Sequence, residues 1–427
     1  MAHLGDASPH APAACCTIKE ARLQMTYHRS TRIVSQLAGL ILASLSLLQG
    51  ADPITDLAAQ LERGEAKLEY QPGPLGYLPS LLKHLGIDAA SQLLVFSKTS
   101  FQSAIITPKT PRAIYFNDNS SVGYVPHGDV LELIALTPGE GLSFYTLSTK
   151  QAAKPKLERR SSVCFSCHAP QNNGIPGMMA TSVFPDPDGM PLFVGKFFPP
   201  IDHRSPFEDR WGGWYVTGTH GSQRHRGNAI VPDSARPTDL ETTATQNVTD
   251  LSKKISLANY LTPASDIVAL MTLEHQSTMT NYLTQLSPTG RTASNNVTTG
   301  TKLDALTDEV VAYMLFSSEM PIREPLQGNT AFAKTFAALG PRDSKGRSLR
   351  EFDLKTRMFK YPLSYMIYSD AFDNIRPDAR DKLYRRLYQV LTAKTPVPQF
   401  AHLTPADRQA ILEIVRDTKS NLPDYWK

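Results

Sequence analysis

Ser162-Val163-Cys164-Phe165-Ser166-Cys167-His168 (SVCFSCH) holds two of the four cysteines in a chain of 427 residues and sets a histidine directly after the second. The stretch also divides the chain. Before it lie short segments rich in β-formers, after it a run dense in Pro and Gly, and beyond that a series of segments with helical spacing. The expected fold class is therefore α+β: a β-rich N-terminal part, a loop-rich region around the motif and a mainly α-helical C-terminal part.

A close cysteine pair can form a small disulfide ring, serve as a thioredoxin-type redox pair or attach a c-type haem. His168 decides among them. In C-x-x-C-H the two thiols add across the porphyrin vinyl groups and the adjacent histidine binds the iron. Two intervening residues put the thiols on one side of a helical turn. A thioredoxin-type site would follow a buried strand, and the preceding LERRSS (157–162) is not one. Zinc would need two further ligands, and no second cysteine pair of suitable spacing exists. One covalent haem c is expected, held by Cys164 and Cys167, with His168 as proximal iron ligand.

Ile33 to Leu48 (IVSQLAGLILASLSLL) is an apolar run preceded by His28, Arg29 and Arg32 and followed by Gln49-Gly50-Ala51. That is the layout of a secretory signal. It is short for a membrane span, so membrane association is expected only if it stays uncleaved. Residues 1–24 carry no apolar run, and the natural start is expected at Met25, with 1–51 a gene-call extension plus signal peptide. Cys15 and Cys16 are then lost, leaving the motif's cysteines alone in a periplasmic or otherwise exported chain. Formal charge is +4, with 44 basic against 40 acidic residues. This balance does not suit nucleic acid; the expected partner is a periplasmic redox protein.

Ala169 to Gly227 is turn-rich and reads as a long loop wrapping a flat ligand. Within it, Arg210 to Asn228 (RWGGWYVTGTHGSQRHRGN) carries two of the three tryptophans. Trp211, Trp214 and Tyr215 are candidates to pack on a porphyrin, and Arg204, Arg210, Arg224 and Arg226 to pair with its propionates. The alternative is that the aromatics are core and the arginines surface. SVCFSCHAP, GMPLF (189–193) and RWGGWYVTGTHG, with SKTSFQ (97–102), PRAIYFND (111–118) and GPRDSKGRSLREFDL (340–354), resemble a group of exported bacterial proteins with a cytochrome c domain. The resemblance covers most of the chain after residue 51. It implies haem c and a periplasmic setting, and no particular reaction.

The second iron ligand separates an electron carrier from an enzyme, since two strong ligands suit electron transfer and an open site allows chemistry. Candidates are His220, His275 and His225; of the methionines Met178, Met179 and Met190, the last has most reach from the motif. In DIVALMTLEHQSTMTNYL (Asp266 to Leu283), Val268, Met271, His275, Met279 and Tyr282 recur at helical spacing, so His275 is either a hydrogen-bonded core residue or a distal group. Asp202-His203 and Glu274-His275 are further carboxylate–histidine neighbours, although adjacent residues on one element usually point apart.

The regions expected are 52–155 (β-rich, opening with short amphipathic helices), 156–231 (haem attachment and wrapping loops) and 232–427 (mainly helical). Strands are expected at Ser91–Lys98, Arg112–Phe116, Val122–Val125, Val130–Leu136 and Leu142–Leu147. Helices are expected at Ser265–Leu286, Leu303–Phe316, Ala331–Leu339, Ser364–Tyr368, Asp378–Leu391 and Pro405–Thr418, the last opened by Thr404-Pro405-Ala406-Asp407. There is no second C-x-x-C-H, phosphate-cradling glycine loop or nucleophile elbow. The leading expectation is an exported monohaem c-type cytochrome performing one-electron transfer. The alternative is a peroxidase-like haem oxidoreductase with an open distal iron, and a third reading is a haem sensor or a subunit of a larger redox complex.

Overall fold

Alternation along the strands builds one antiparallel sheet. In the computed structural model, which describes residues 52–169, 174–193, 200–288, 300–395 and 397–427, six strands run between residues 93 and 160. They are β1 (Leu93–Val95), β2 (Arg112–Phe116), β3 (Ser120–Tyr124), β4 (Val130–Thr137), β5 (Gly141–Ser148) and β6 (Leu157–Arg160). A seventh, β9 (Trp214–Tyr215), joins from downstream to give the order β6-β5-β4-β3-β2-β1-β9. Between them a small hairpin pairs β7 (Phe184–Pro185) with β8 (Pro191–Leu192). The signal segment, Cys15 and Cys16 lie outside the described residues.

On one face of the sheet, Ala113, Tyr115, Val122, Leu131, Leu133, Tyr145 and Leu147 pack with residues of α1 (Pro53–Arg63) and α2 (Leu78–His84). Asp52 caps α1 by accepting from the amides of Ile54 and Thr55, and its other oxygen accepts from Tyr145 of β5 at 2.6 Å. The opposite face, with period 2, presents Glu132, Ile134, Leu136, Leu142 and Phe144. That face receives α3 (Ser162–His168), the helix formed by the cysteine motif.

The helical half is built on α4 (Ile267–Leu286), capped by Asp266, in which only Thr278 and Asn281 escape full burial. A single inward stripe was expected; a helix packed on nearly every side is found, with α5 (Thr301–Met314), α6 (Phe332–Ala338) and α7 (Asp370–Asp373) against it, while α8 (Pro377–Thr392) packs on α5 and α9 (Pro405–Thr418) packs on α8. Where a helix was expected at Ser364–Tyr368, a short 3₁₀ turn spans Tyr365–Tyr368, capped by Ser364. No helix among the described residues is long and apolar enough to cross a membrane.

The tryptophan-rich stretch is a splice between the two halves. Gly213, at φ 86°, offers its carbonyl to the amides of Phe96 and Ser97, and a side chain at Gly212 would collide with the Val183 carbonyl. After β9, Thr217 exchanges backbone bonds with Ser265 and Ile267 and so leads into α4. The expected wrapping loop is here a buried crossing segment, with Trp211, Trp214, Tyr215 and Val216 all in the core. The mixed α and β content thus forms one compact unit in which the stretch 156–231 supplies both edge strands of the sheet, β6 and β9.

Candidate functional site

Strand β6 places the motif. Its Leu157–Arg160 residues are mostly exposed, an edge strand blunted by charge, and it hands directly to α3. Phe165 bonds back to the Ser161 carbonyl at 2.9 Å and Ala169 to that of Phe165 at 3.0 Å, which closes the turn carrying both thiols. Cys164 is half-buried against the cluster of Leu136, Leu142 and Phe144, while Cys167 is exposed, and both are free thiols. Burial pushes the Cys164 thiol up, helped by the Glu132 carboxylate and by Cys167.

His168 ends the helix with its ring 4.8 Å from that of Phe144. Its Nδ1 lies 2.7 Å from the Gly177 carbonyl oxygen. A carbonyl only accepts, so Nδ1 carries the proton and Nε2 carries the lone pair. Burial holds the imidazole below its ordinary range, against the opposing Gly177 bond, and keeps it neutral near neutral pH. The chain then doubles back: the Gly177 amide donates to the His168 carbonyl at 3.0 Å. Next to it Met178 exchanges two bonds with Asn281 of α4, at 2.7 and 2.8 Å. A narrow cleft beside them is lined by Ser121, Ile134, Leu136, Leu142, Met178 and, from α4, Gln276 and Thr280.

Two thiols on one helical turn and a neutral imidazole whose Nε2 carries the lone pair are the kinds of donor that would hold a c-type haem. Among the described residues, no cluster of three or more His, Cys, Asp or Glu side chains converges as a metal cage.

The remaining candidates sit elsewhere. Arg210 and Glu274 form an ion pair at 2.6 Å, with side chains 2 % and 0 % exposed, and Trp211 Nε1 donates to the other Glu274 oxygen at 3.0 Å. Burial pushes the Glu274 carboxyl up to about 7, opposed by Arg210 and Trp211. Trp214 Nε1 donates to the Thr181 carbonyl. The polar groups of Arg210, Trp211 and Trp214 are therefore spent inside the core. Of the other arginines, Arg204 pairs with Asp202, Arg226 with Asp209, and Arg224 bonds Thr243.

His275 has both ring nitrogens engaged, Nδ1 with His203 Nδ1 at 3.0 Å and Nε2 with Ser364 at 2.9 Å, between the rings of Tyr313 and Phe316. The two carboxylate–histidine neighbours thus meet through their histidines, while their acids turn away to Arg204 and Arg210. His220 Nε2 accepts from the Asn247 amide, and His225 Nδ1 from that of Gly227, with the two rings 4.7 Å apart and His225 against Trp211. Among the described residues, none of these three histidines shares a hydrogen bond or ring contact with α3. Met190 is half-exposed on the β7–β8 turn.

One charged pair was missed. Arg112 of β2 and Glu132 of β4 meet at 2.6 Å on the face that carries the motif. The only sequence signal is a charge in each of two otherwise apolar strands. No family model, no curated protein and no solved structure matches the chain.

Proposed function

We propose that the chain is an exported monohaem c-type cytochrome that passes single electrons to or from a periplasmic partner protein, with Cys164 and Cys167 as covalent attachment points and Nε2 of His168 as iron ligand. One observation carries this reading: two free thiols share a helical turn with a histidine whose Nδ1–H is committed to the Gly177 carbonyl. Haem, when bound, supplies a one-electron iron couple. The chain holds the ligand: burial keeps His168 neutral, Phe144 and Gly177 orient its ring, and Asn281 ties the Gly177–Met178 backbone to the central helix.

A second reading, a haem oxidoreductase with an open iron, is favoured by a separate observation. His203, His220, His225, His275 and His402 each have a ring nitrogen bonded within the protein. Among the described residues, none of the five shares a hydrogen bond or ring contact with α3, which supports an iron without a second histidine.

The test is production with c-haem maturation machinery. Haem is expected to stay with the denatured chain and to be lost from the Cys164→Ala/Cys167→Ala variant; haem retained by that variant would overturn the proposal. Carbon monoxide then separates the readings. A spectrum unmoved by the gas supports the carrier, and one that shifts at once supports the oxidoreductase.

A further inference from the structure

The sheet face beside the motif carries an ordered charge pair. Glu132 and Ile134 lie two positions apart on β4 and share a face, about 7 Å apart along the strand. Ile134 and Cys164 both pack on the Leu136, Leu142 and Phe144 cluster, and the residue opposite Ile134, Phe144, contacts the His168 ring. Glu132 is held from three sides, by Arg112, by Ser100 Oγ at 3.1 Å and by Gln102 Nε2 at 3.0 Å. Arg112 lies across Gly123 of β3, where a side chain would collide with its guanidinium. Its Nη2 is used on Glu132, yet its Nε is buried without a partner among the described residues.

We propose that Arg112, pre-oriented by Glu132 and the glycine beneath it, is the positioning residue for a carboxylate of the haem, and that the Arg112–Glu132 pair sets the electrostatic field at the iron. This rests on the haem c reading above. A guanidinium has five N–H donors in a fixed fork, so a donor remains for a second carboxylate once Glu132 is bound. The four arginines downstream of the motif that were candidates for this role already have partners elsewhere. Arg160 is the competing cation on the same face, but it is more exposed and already bonds Glu158 and Thr146.

The experiment measures the reduction midpoint of the haem-loaded protein and of four variants, after confirming by mass that haem is covalently attached. Arg112→Leu removes a cation near the iron, which favours the ferric state; at least a tenfold fall in the reduction equilibrium is expected, 59 mV for one electron. Glu132→Gln, nearly isosteric, is expected to move it the other way. Arg112→Lys keeps the charge and is expected to recover most of the loss, while Arg160→Leu changes it little. With haem attached, an Arg112→Leu midpoint within twofold of the parent, or an equal shift in Arg160→Leu, overturns the assignment of Arg112. If Arg112→Leu does not fold, the sign of the Glu132→Gln shift decides. Failure of the parent to attach haem overturns the haem reading itself, and Arg112 with it.

Discussion

Gly177 and His168 hold each other twice. The Gly177 amide donates to the His168 carbonyl, and the Gly177 carbonyl accepts from His168 Nδ1, at 3.0 and 2.7 Å. Two bonds between the same residues fix both the position of the backbone and the rotation of the imidazole. A metal-binding histidine whose other nitrogen donates to a carbonyl is a more basic ligand with one defined tautomer.

That clamp hangs from α4 through Met178 and Asn281. Replacing Asn281 by Ala removes both bonds to Met178 and lets the Gly177 carbonyl drift from Nδ1. A less basic imidazole stabilises ferric iron less, so the midpoint of the haem-loaded Asn281→Ala protein is expected to rise by a few-fold to tenfold in the reduction equilibrium. Electrochemical titration measures it. An unchanged midpoint would show that Gly177 is held without Asn281.

What could be read from the sequence divides by the range of the interactions. Thr404 caps α9 as expected, and Asp407 closes a capping box with it, because a cap needs only neighbours three positions apart. Strands β2, β4 and β5 were legible from alternation for the same reason. β9 was not, since two residues carry no period and their partner, β1, lies some hundred residues earlier. The fates of Arg210, Trp211 and His275 depended on which residues the fold brought opposite them: Glu274 on α4, His203 before the splice and Ser364 after α6. That both thiols and the histidine of α3 share one short helix was legible because their spacing is set within seven residues.

The glycine pair of the splice makes a sharp test of its structural role. In Gly212→Ala the new Cβ meets the Val183 carbonyl, a backbone atom that cannot swing aside. Backbone displacement in a packed region costs about 1–3 kcal/mol. Equilibrium urea unfolding is expected to show this loss, with wild-type haem content in the fraction that remains folded. A variant as stable as the parent would mean that the Val183 and Gly212 backbones separate freely.

Breaking the buried Arg210–Glu274 pair is expected to cost more. Glu274→Ala leaves a guanidinium without its counter-charge in the core and Trp211 Nε1 without its acceptor. Removing one partner of a buried pair costs about 3–5 kcal/mol. Glu274→Gln keeps an acceptor oxygen and is expected to lose less. Denaturant midpoints of the two variants check both the size and the order, and equal losses would assign the whole effect to charge rather than to hydrogen bonding.

The His203–His275 contact predicts the acid limb of stability. Both rings are fully buried, and desolvation lowers both, His275 to about 3. Their nitrogens face each other at 3.0 Å, which requires that one donate and the other accept. In the unfolded chain a histidine takes up its proton near pH 6.5, so below that pH the unfolded state binds more protons than the folded state. Stability contributed by the neutral form is therefore present above pH 6.5 and lost as pH falls toward 3. For His275 alone the loss at pH 5 is about 2 kcal/mol. Unfolding free energy measured from pH 7.5 to 4.5 is expected to fall along this limb, and His275→Gln, which has no proton to gain, is expected to flatten it while lowering stability at pH 7. An unchanged slope in that variant would place the acid sensitivity elsewhere, with His225 as the next buried neutral imidazole to replace.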